Sequence, residues 1–291
     1  MIELRVAETD DELEVWRSVR KALLPNERTS SVAELRAGGT FMLLAYRDGK
    51  LAGSGSASKS DLGGGAVTPR VLPAHRRRGV GTALLRRLAA HAESCGYDEV
   101  GSLVDDASSL AFAERFGFAE TGRQVEQVRT VAPDEPWPAV PDGIEVVTVA
   151  ERPELLRRLY HELALQAFED IPTPGKVEIT LEQWESEWLN WPEGTFVALA
   201  GDEIVGMAGL CHDADRADRA ENALTAVRRD RRGRGLARML KETATAWAAE
   251  HGIREIYTWT QTGNENMREV NERLGYVTRD VAISVRRKLP L

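Results

Sequence analysis

The chain has 291 residues, of which 42% are hydrophobic and 29% charged, which excludes a disordered, collagen-like or coiled-coil protein and predicts about two domains. Only two cysteines, Cys95 and Cys211, occur, and neither a signal-peptide pattern nor an apolar run of about 18 residues is visible. We therefore expect a cytoplasmic protein without a disulfide framework or a membrane span, and the formal net charge of −8 argues against a nucleic-acid partner.

The first predicted elements are a strand, a helix and a hairpin. Strand 4–7 precedes a helical stretch over 11–24, for which Thr9 and Asp10 are candidate N-caps. The turn Asp48–Gly49 is typical of a hairpin. The remaining elements of this half are hairpin strands 41–45 and 51–56, strand 65–71, an Arg/Gly loop, helix 81–95, strand 99–104 and a short helix ending at Gly117.

The same series recurs further along the chain. Arg76–Gly81 returns as Arg232–Ala237, and Phe116–Phe118 returns as Leu274–Tyr276. The second series consists of strand 145–149, helix 154–168, hairpin strands 196–200 and 204–210, strand 223–227, helix 237–251 and strand 255–260. Repeats of this length indicate two copies of one domain rather than a solenoid, whose repeats are much shorter.

A proline-rich segment separates the two copies. Prolines stand at 133, 136, 138 and 141, and such spacing is typical of an extended linker. We therefore predict an N-terminal domain over 1–131, a linker over 132–143 and a C-terminal domain over 144–291. Each copy is expected to be an α/β (α+β) domain with a mixed, mostly antiparallel sheet flanked by helices.

The Arg/Gly loops carry the first chemical signal. In both copies a strand ends, Gly and Arg residues follow, and a strong helix begins. The unpaired N–H groups at the start of a helix favour an anion such as a diphosphate, and glycines allow it to approach the backbone. A solvated loop that merely begins the helix is the alternative, whereas the spacing argues against a Rossmann dinucleotide site.

These loops resemble the acetyl-CoA signature of the GCN5-related N-acetyltransferase (GNAT) superfamily. Its pattern of Arg or Gln, two residues, Gly, one residue, and Gly or Ala fits both Arg76–Gly81 and Arg232–Ala237. The segment Asn264–Tyr276 also fits a later family signature except at its tyrosine. The resemblance covers nearly the whole chain and the layout is similar to tandem acetyltransferases of actinobacteria.

The resemblance implies a set of residues that bind acetyl-CoA. In the second copy, Val227 would donate its N–H to the thioester carbonyl, the loop would hold the pyrophosphate, and Asn264 would hold the pantetheine arm. The implied cofactor-binding residues are Val227, Arg232, Gly233, Arg234, Gly235, Leu236, Ala237, Asn264 and Asn271, with Val71, Arg76, Arg77, Arg78, Gly79, Val80 and Gly81 in the first copy.

The two copies differ in their candidate catalytic groups. The tyrosine that serves as general acid in the family falls at Ala113 and at Asn271, neither of which can donate a proton in that role. Some members of the family that the chain resembles place a glutamate near the start of the strand before the loop. The resemblance implies a candidate general base at Glu221, eleven residues before Arg232, whereas the matching position before Arg76 is Gly65. The C-terminal copy is therefore predicted to be catalytic, with Glu221 and Val227 as its catalytic residues, and the N-terminal copy to be degenerate.

Other interpretations of these positions remain open. The alternative for Glu221 is a solvated residue at a strand edge. Weaker alternatives for the base are His212, Asp213 and Asp215.

An acidic stretch precedes the second hairpin. Residues 151–193 contain 4 Lys and Arg against 10 Asp and Glu, a net charge of −6. Asp170, Trp184 and Trp188 in this stretch are candidate contacts for a cationic acceptor, because carboxylates and aromatic faces both attract ammonium groups. The alternative is a solvated helix whose tryptophans belong to the core.

We therefore predict an N-acetyltransferase that moves an acetyl group from acetyl-CoA to a primary amine by direct attack. Its expected partner is a small-molecule amine, without metal, nucleic acid or membrane, and the chain is expected to be a monomer or homodimer. A non-catalytic acyl-CoA-binding or scaffolding protein is the alternative, favoured by the missing tyrosine.

Overall fold

The computed structural model describes residues 1–27, 29–173, 176–213 and 216–291, and all their side chains except that of residue 187. The strands are β1 Ile2–Val6, β2 Phe41–Arg47, β3 Lys50–Lys59, β4 Gly65–Val71, β5 Glu99–Val104, β6 Ala119–Thr130, β7 Glu145–Thr148, β8 Thr195–Ala200, β9 Glu203–His212, β10 Arg219–Val227, β11 Glu255–Gln261 and β12 Val277–Lys288. Each half therefore contributes six strands in the predicted order.

The helices are α1 Asp10–Leu23, α2 Val32–Ala37, α3 Val80–Ser94, α4 Ala107–Arg115, α5 Leu155–Leu159, α6 Leu165–Asp170, α7 Leu181–Gln183, α8 Leu236–Glu250 and α9 Glu265–Arg273. A π-helical turn, Tyr160–Ala164, joins α5 to α6, and a second, Trp184–Trp188, follows α7. Within the described ranges no helix combines the length and the apolar character needed to cross a membrane.

The chain divides into two compact units whose limits differ from the predicted domain boundaries. Unit 1 consists of Met1–Gly122 with Ala282–Leu291, and unit 2 consists of Arg123–Val281. In unit 1, residues 283–288 of β12 pair with β5; in unit 2, residues 124–130 of β6 pair with β11. The predicted break after residue 131 is inferred from the repeat in the sequence. The order of residues along the chain does not show which sheet edge a strand will pair with, and for this reason the two boundaries differ.

Unit 1 is built on the sheet β1-β2-β3-β4-β5, extended by residues 283–288. Its two faces are packed by different helices, because alternate residues of β2 point to opposite sides. Leu43 packs with Leu84 of α3, whereas Leu44 packs with Trp16 of α1. Of the two candidate caps of α1, Thr9 forms the capping box and Asp10 is the first helical residue.

Unit 2 repeats this architecture, with the strand order β7-β8-β9-β10-β11 followed by residues 124–130. Leu240 and Trp247 of α8 pack on one face, which we call the α8 face. Helices α5, α6 and α7, with the two π-helical turns, pack on the other, which we call the α5 face, where Leu159 and Trp184 are buried. Full burial of a leucine such as Leu240 contributes about 1.5–3 kcal/mol. As predicted, each unit has a mostly antiparallel sheet flanked by helices.

Candidate active site

The central feature of unit 2 is a cleft between two parallel strands. β10 and β11 pair only through Arg219–Glu221 and Glu255–Tyr257, and beyond these residues the strands separate. At the point of separation the Thr258 hydroxyl donates to the carbonyl oxygen of Asn222 at 2.9 Å. The strand edges beyond this bond are therefore available to a ligand.

A β-bulge directs β10 away from β11. The pairing of β10 with β9 shifts between Asn222 and Leu224. Asn222 Nδ2 donates to the Gly209 carbonyl at 3.0 Å, and Asn222 Oδ1 accepts from the Thr225 hydroxyl at 3.0 Å and from Lys241 Nζ. Burial lowers the pKa of Lys241 to about 7. These bonds join β9, β10 and α8 and hold the bulge where the cleft opens.

The last residue of β10 presents a backbone donor to this cleft. The N–H of Arg228 donates to the carbonyl of Val205 in β9 at 3.0 Å. Because N–H groups alternate in direction along a strand, the N–H of Val227 points to the opposite edge, from which β11 has separated. A backbone N–H directed into such an opening is a candidate oxyanion donor.

The loop after β10 leads into an uncapped helix. Gly235, at φ +80°, precedes α8 and no side chain caps this helix, whereas Thr9 and Asp106 cap α1 and α4. Arg232 Nε donates to the carbonyl oxygen of Val227 at 3.0 Å and folds the loop onto the end of β10. The first N–H groups of α8 are thus presented to the loop, which suits an anion.

Unit 1 has the same loop geometry. Arg76 Nε donates to the carbonyl oxygen of Val71 at 3.2 Å, and Gly79 precedes α3 at φ +86° without a side-chain cap. β4 and β5 likewise pair at only two positions, Gly65–Ala66 with Val100–Gly101. The two loops are therefore structural equivalents, as their sequences predict.

The space around the two loops differs. A β-carbon at Gly81 would lie 3.4 Å from the Phe112 ring, and one at Gly79 would lie 3.4 Å from Ile2. At Gly233 and Gly235 no described heavy atom would lie within 4 Å. Gly81 corresponds to Ala237, which carries its own β-carbon, so the comparison rests on the equivalent pair Gly79 and Gly235, where unit 2 is the more open.

The remaining loop residues divide by exposure. Val80 and Leu236 are buried at the first helical positions, and Gly81 and Ala237 are half-buried. The exposed arginines are Arg76, Arg77, Arg78, Arg232 and Arg234. Both loops thus carry exposed arginines in the residues that lead into the helix.

Glu221 lies on the α5 face of the sheet, in a row across three strands. It is the register partner of Cys211 in β9 and of Tyr257 in β11. The hydroxyl of Tyr257 donates to Glu221 Oε2 at 3.1 Å. Glu221 is half-buried, and it lies just before the cleft opens.

An ionic cluster surrounds this row. Arg219, fully buried, pairs with Glu255 at 2.9 Å, with Glu126 at 3.6 Å and with Asp213 at 3.8 Å. Its guanidinium carbon lies 3.9 Å from the centre of the Tyr257 ring. Sequence reasoning named Asp213 as an alternative base, but here it is a buried partner of Arg219. His212 is exposed, and Asp215 lies outside the described residues.

The sequence reasoning missed Tyr257, Arg219, Asn222 and Lys241. Tyr257 lies in a strand of ordinary pattern, and its partner Glu221 is distant in the chain, so no local signal marks it. A charged residue such as Arg219 at the start of a strand carries no sign that it is buried.

Asp170 pairs with the loop rather than facing an open pocket. Its carboxylate accepts hydrogen bonds from Arg229 and from Arg232, which hold its pKa below the ordinary value. Gln166 Oε1 accepts from the Arg229 N–H at 3.2 Å. A β-carbon at Gly263, in the turn after β11, would lie 3.1 Å from Pro172. The end of α6 therefore spans the carboxyl ends of both cleft strands.

The two candidate tryptophans are not equivalent. Trp184 is completely buried in the core of the α5 face, and its indole N–H donates to the Leu156 carbonyl at 3.1 Å, so it has no surface to offer an acceptor. Trp188 is partly buried, with its ring 5.4 Å from that of Phe168. Although Trp184–Trp188 is a π-helical turn, both rings lie against Phe168, with 6.0 and 5.4 Å between ring centres, so the two tryptophans share one side of the turn as their spacing predicts.

The two asparagines of the later signature lie on α9. Asn264 precedes the helix and its side chain does not cap it. Asn271 is fully buried, and its Nδ2 donates to Gln127 Oε1 at 2.9 Å and more weakly to Thr260. Among the described residues, Asn271 Oδ1 and Gln127 Nε2 have no hydrogen-bond partner. The buried pair of Asn271 and Gln127 thus occupies the position expected for the tyrosine that serves as general acid.

Comparison with known proteins agrees with this geometry. The sequence profile of the acetyltransferase (GNAT) family matches residues 3–118 and 156–276. Mycothiol acetyltransferase of Geodermatophilus obscurus is 28% identical over 89% of this chain and 87% of its own length, and that of Nocardia farcinica is 29% identical over 83% and 81%.

Solved structures show the same fold. A tandem GNAT protein from the clavulanic acid biosynthesis pathway covers 100% of both chains with a TM-score of 0.80 at 18% identity. A GCN5-related N-acetyltransferase from Sphaerobacter thermophilus covers 99% of this chain and 95% of its own, with a TM-score of 0.78 at 20% identity. With a family profile that matches both halves, this chain belongs to the GNAT family and is a tandem GNAT acetyltransferase.

Proposed function

We propose that unit 2 binds acetyl-CoA and transfers its acetyl group to the primary amine of a small molecule by direct attack, without a covalent enzyme intermediate. The observation that carries this proposal is the combination in unit 2 of an open glycine loop with a carboxylate, Glu221, on the strand that leads to it. In unit 1 the matching position is Gly65, where a β-carbon would already lie 3.1 Å from Tyr97 and 3.2 Å from Val100.

The loop residues fit the phosphates of CoA. Two glycines with open space around them, a helix without a side-chain cap and exposed arginines form a cradle that a diphosphate can enter. When bound, acetyl-CoA would supply an activated thioester. The backbone from Arg232 to Ala237 would hold the pyrophosphate, and Asn264 would hold the pantetheine arm.

The chemistry assigned to this chain is proton removal and oxyanion stabilisation. Glu221, directly or through a water, would accept the proton that an ammonium acceptor must lose before it attacks. The N–H of Val227 would donate to the thioester carbonyl oxygen as negative charge grows there. No tyrosine stands at Ala113 or Asn271 to protonate the departing thiolate, which leaves readily as an anion.

The test is the release of CoA thiol with a panel of amines that includes glucosamine, spermidine, lysine and a cysteinyl amide. Glu221→Gln is expected to lower kcat/KM by about 10²–10⁴-fold, the range for loss of a general base. Glu242→Gln, which removes a carboxylate paired with Arg238 on α8, is the matched control and is expected to retain activity. An unchanged pH–rate profile in Glu221→Gln would show that Glu221 is not the base.

The same panel tests a second role. Tight acetyl-CoA binding with no turnover of any amine would favour a non-catalytic acyl-CoA-binding protein, for which the absence of the tyrosine at Ala113 and Asn271 is the supporting observation. Unit 1, with an intact loop but no carboxylate at Gly65, is proposed to contribute no chemistry.

A further inference from the structure

We propose that Tyr257 is the positioning residue for Glu221 and holds its carboxylate ionised at the point where β10 and β11 separate. This inference rests on the proposed role of Glu221 as the base. The two residues are register partners, and the Tyr257 hydroxyl donates to Glu221 Oε2 at 3.1 Å. A donor directed at one oxygen restricts rotation of a side chain that would otherwise have several rotamers.

Tyr257 is itself held firmly. Only 1% of its surface is exposed, and the guanidinium of Arg219 lies against its ring with 3.9 Å between the guanidinium carbon and the ring centre. Arg219 is in turn held by Glu255 at 2.9 Å and Glu126 at 3.6 Å. The phenol oxygen therefore has a defined position from which to orient Glu221.

The phenol remains a donor throughout the working pH range. Burial first, and then the negative charge of Glu221, raise the pKa of Tyr257. A protonated hydroxyl that donates to a carboxylate stabilises its ionised form. During the proposed reaction the proton would pass from the acceptor ammonium to Glu221, while Tyr257 keeps its own proton.

Other charged and titratable groups lie on the strands around this pair. They are Arg219 with its partners Asp213, Glu255 and Glu126. Cys211, the register partner in β9, is buried, and its Sγ donates to the Trp188 carbonyl at 3.2 Å. Beside these groups, the Tyr257 hydroxyl is a donor directed at the Glu221 carboxylate itself.

The experiment measures the titration of Glu221 in the full-length chain. Protein labelled with ¹³C at the glutamate carboxyl carbon is titrated by NMR, and the Glu221 signal is assigned by its loss in Glu221→Gln. Tyr257→Phe, which removes only the hydroxyl, is expected to raise the midpoint by about one to two pH units, because a hydrogen bond to a charged group is worth about 1.5–3 kcal/mol. Tyr276→Phe, at a buried tyrosine on the α8 face, is the control and is expected to leave the midpoint unchanged.

The kinetic counterpart uses any amine that the panel shows to be an acceptor. The ratio of kcat/KM in Tyr257→Phe to that of the wild type is expected to fall at acid pH and to return toward one as pH rises, a recovery that loss of structure would not produce. The acceptor's own ionisation cancels in this ratio. An unchanged NMR midpoint, or a ratio equally low at every pH, would overturn the inference.

A second measurement avoids the substitution. Replacement of the tyrosines by 3-fluorotyrosine makes each phenol a stronger donor and is expected to lower the Glu221 midpoint, and no change would count against the proposal. The proposed function is tested by a different experiment, and full activity in Glu221→Gln would contradict it. In that case the NMR midpoints still decide whether Tyr257 acts on Glu221.

Discussion

Asp170 and Arg232 form an ion pair that joins the end of α6 to the loop before α8, with 2.5 Å between the carboxylate oxygen and the guanidinium nitrogen. Arg229 shares the same carboxylate. Both arginines belong to the loop that we propose binds the CoA phosphates. The carboxylate of Asp170 and an incoming phosphate would therefore compete for the same guanidinium groups.

Removal of this carboxylate is expected to strengthen CoA binding. In Asp170→Asn, Arg229 and Arg232 lose a competing anion, and the Kd for CoA should fall by about two- to tenfold at low salt, since exposed ion pairs are worth up to about 1 kcal/mol. The gain should disappear in 0.5 M NaCl, where charges are screened. Titration calorimetry at the two salt concentrations checks this. Glu162→Gln, which removes the partner of Arg158 on the same helical segment, is the control. A gain that does not depend on salt would contradict it.

The two glycine loops offer a matched comparison. Gly235 at φ +80° and Gly79 at φ +86° adopt the same left-handed conformation, so alanine at either costs a similar 1–2 kcal/mol of backbone strain. Gly235→Glu is expected to abolish activity, and Gly79→Glu to leave much of it, because only the former places a side chain and a negative charge in the proposed active loop. The alanine variants separate strain from the effect of the new side chain. Activity lost in Gly79→Glu and kept in Gly235→Glu would reverse the assignment of the catalytic unit.

Lys241 predicts a pH-dependent stability. Burial lowers its pKa to about 7 in the folded chain, while its pKa in the unfolded chain is about 10.4. Between these values the unfolded state binds a proton that the folded state lacks, so the free energy of unfolding should rise with pH by up to about 1.4 kcal/mol per pH unit. Below pH 7 both states are protonated, and this contribution to the slope vanishes.

Denaturant unfolding at pH 7, 8 and 9 measures that slope. Lys241→Met should remove it, because methionine fills a similar volume without titrating. Lys50→Met, at an exposed lysine in the hairpin of unit 1, should keep the wild-type slope. Equal slopes in wild type and Lys241→Met would show that Lys241 does not titrate in this range.

The limits of unit 2 predict which fragment of the chain folds on its own. A fragment over 144–291 lacks Glu126, the buried partner of Arg219 and Arg279, and Gln127, the partner of Asn271. Breaking a buried ion pair costs about 3–5 kcal/mol, a large part of the 5–15 kcal/mol typical of a domain. We expect 144–291 not to fold cooperatively and 123–291 to do so, as measured by circular dichroism during thermal unfolding. A cooperative transition in the shorter fragment would show that β6 is dispensable.

The features that sequence could predict are local ones. Helix α8, its preceding glycine and the Arg232 loop are specified by residues adjacent in the chain, and the structure places them within one residue of expectation. The contacts of Glu221 with Tyr257, and of Arg219 with Glu126, depend on strand register across the sheet. Such contacts join residues that are far apart in the chain, so no local sequence pattern at either position indicates the other.

The acidic stretch shows the same limit in another way. Its net charge of −6 follows directly from the sequence and predicts a pocket for a cationic acceptor. Asp170, however, lies beside Arg229 and Arg232, and Trp184 lies in the core. The charge and aromatic character of a segment do not reveal which of its side chains are already engaged by the rest of the fold.

The division of β6 and β12 between the units has a consequence for synthesis of the chain. Unit 1 includes residues 282–291, so its sheet cannot be completed when residue 122 leaves the ribosome. The edge of β5 that pairs with β12 remains unpaired while the whole of unit 2 is translated at about 5–20 residues per second. During those seconds an exposed strand edge is open to pairing with other nascent chains. The first half is therefore the part for which a chaperone would matter, even though it contributes no proposed chemistry.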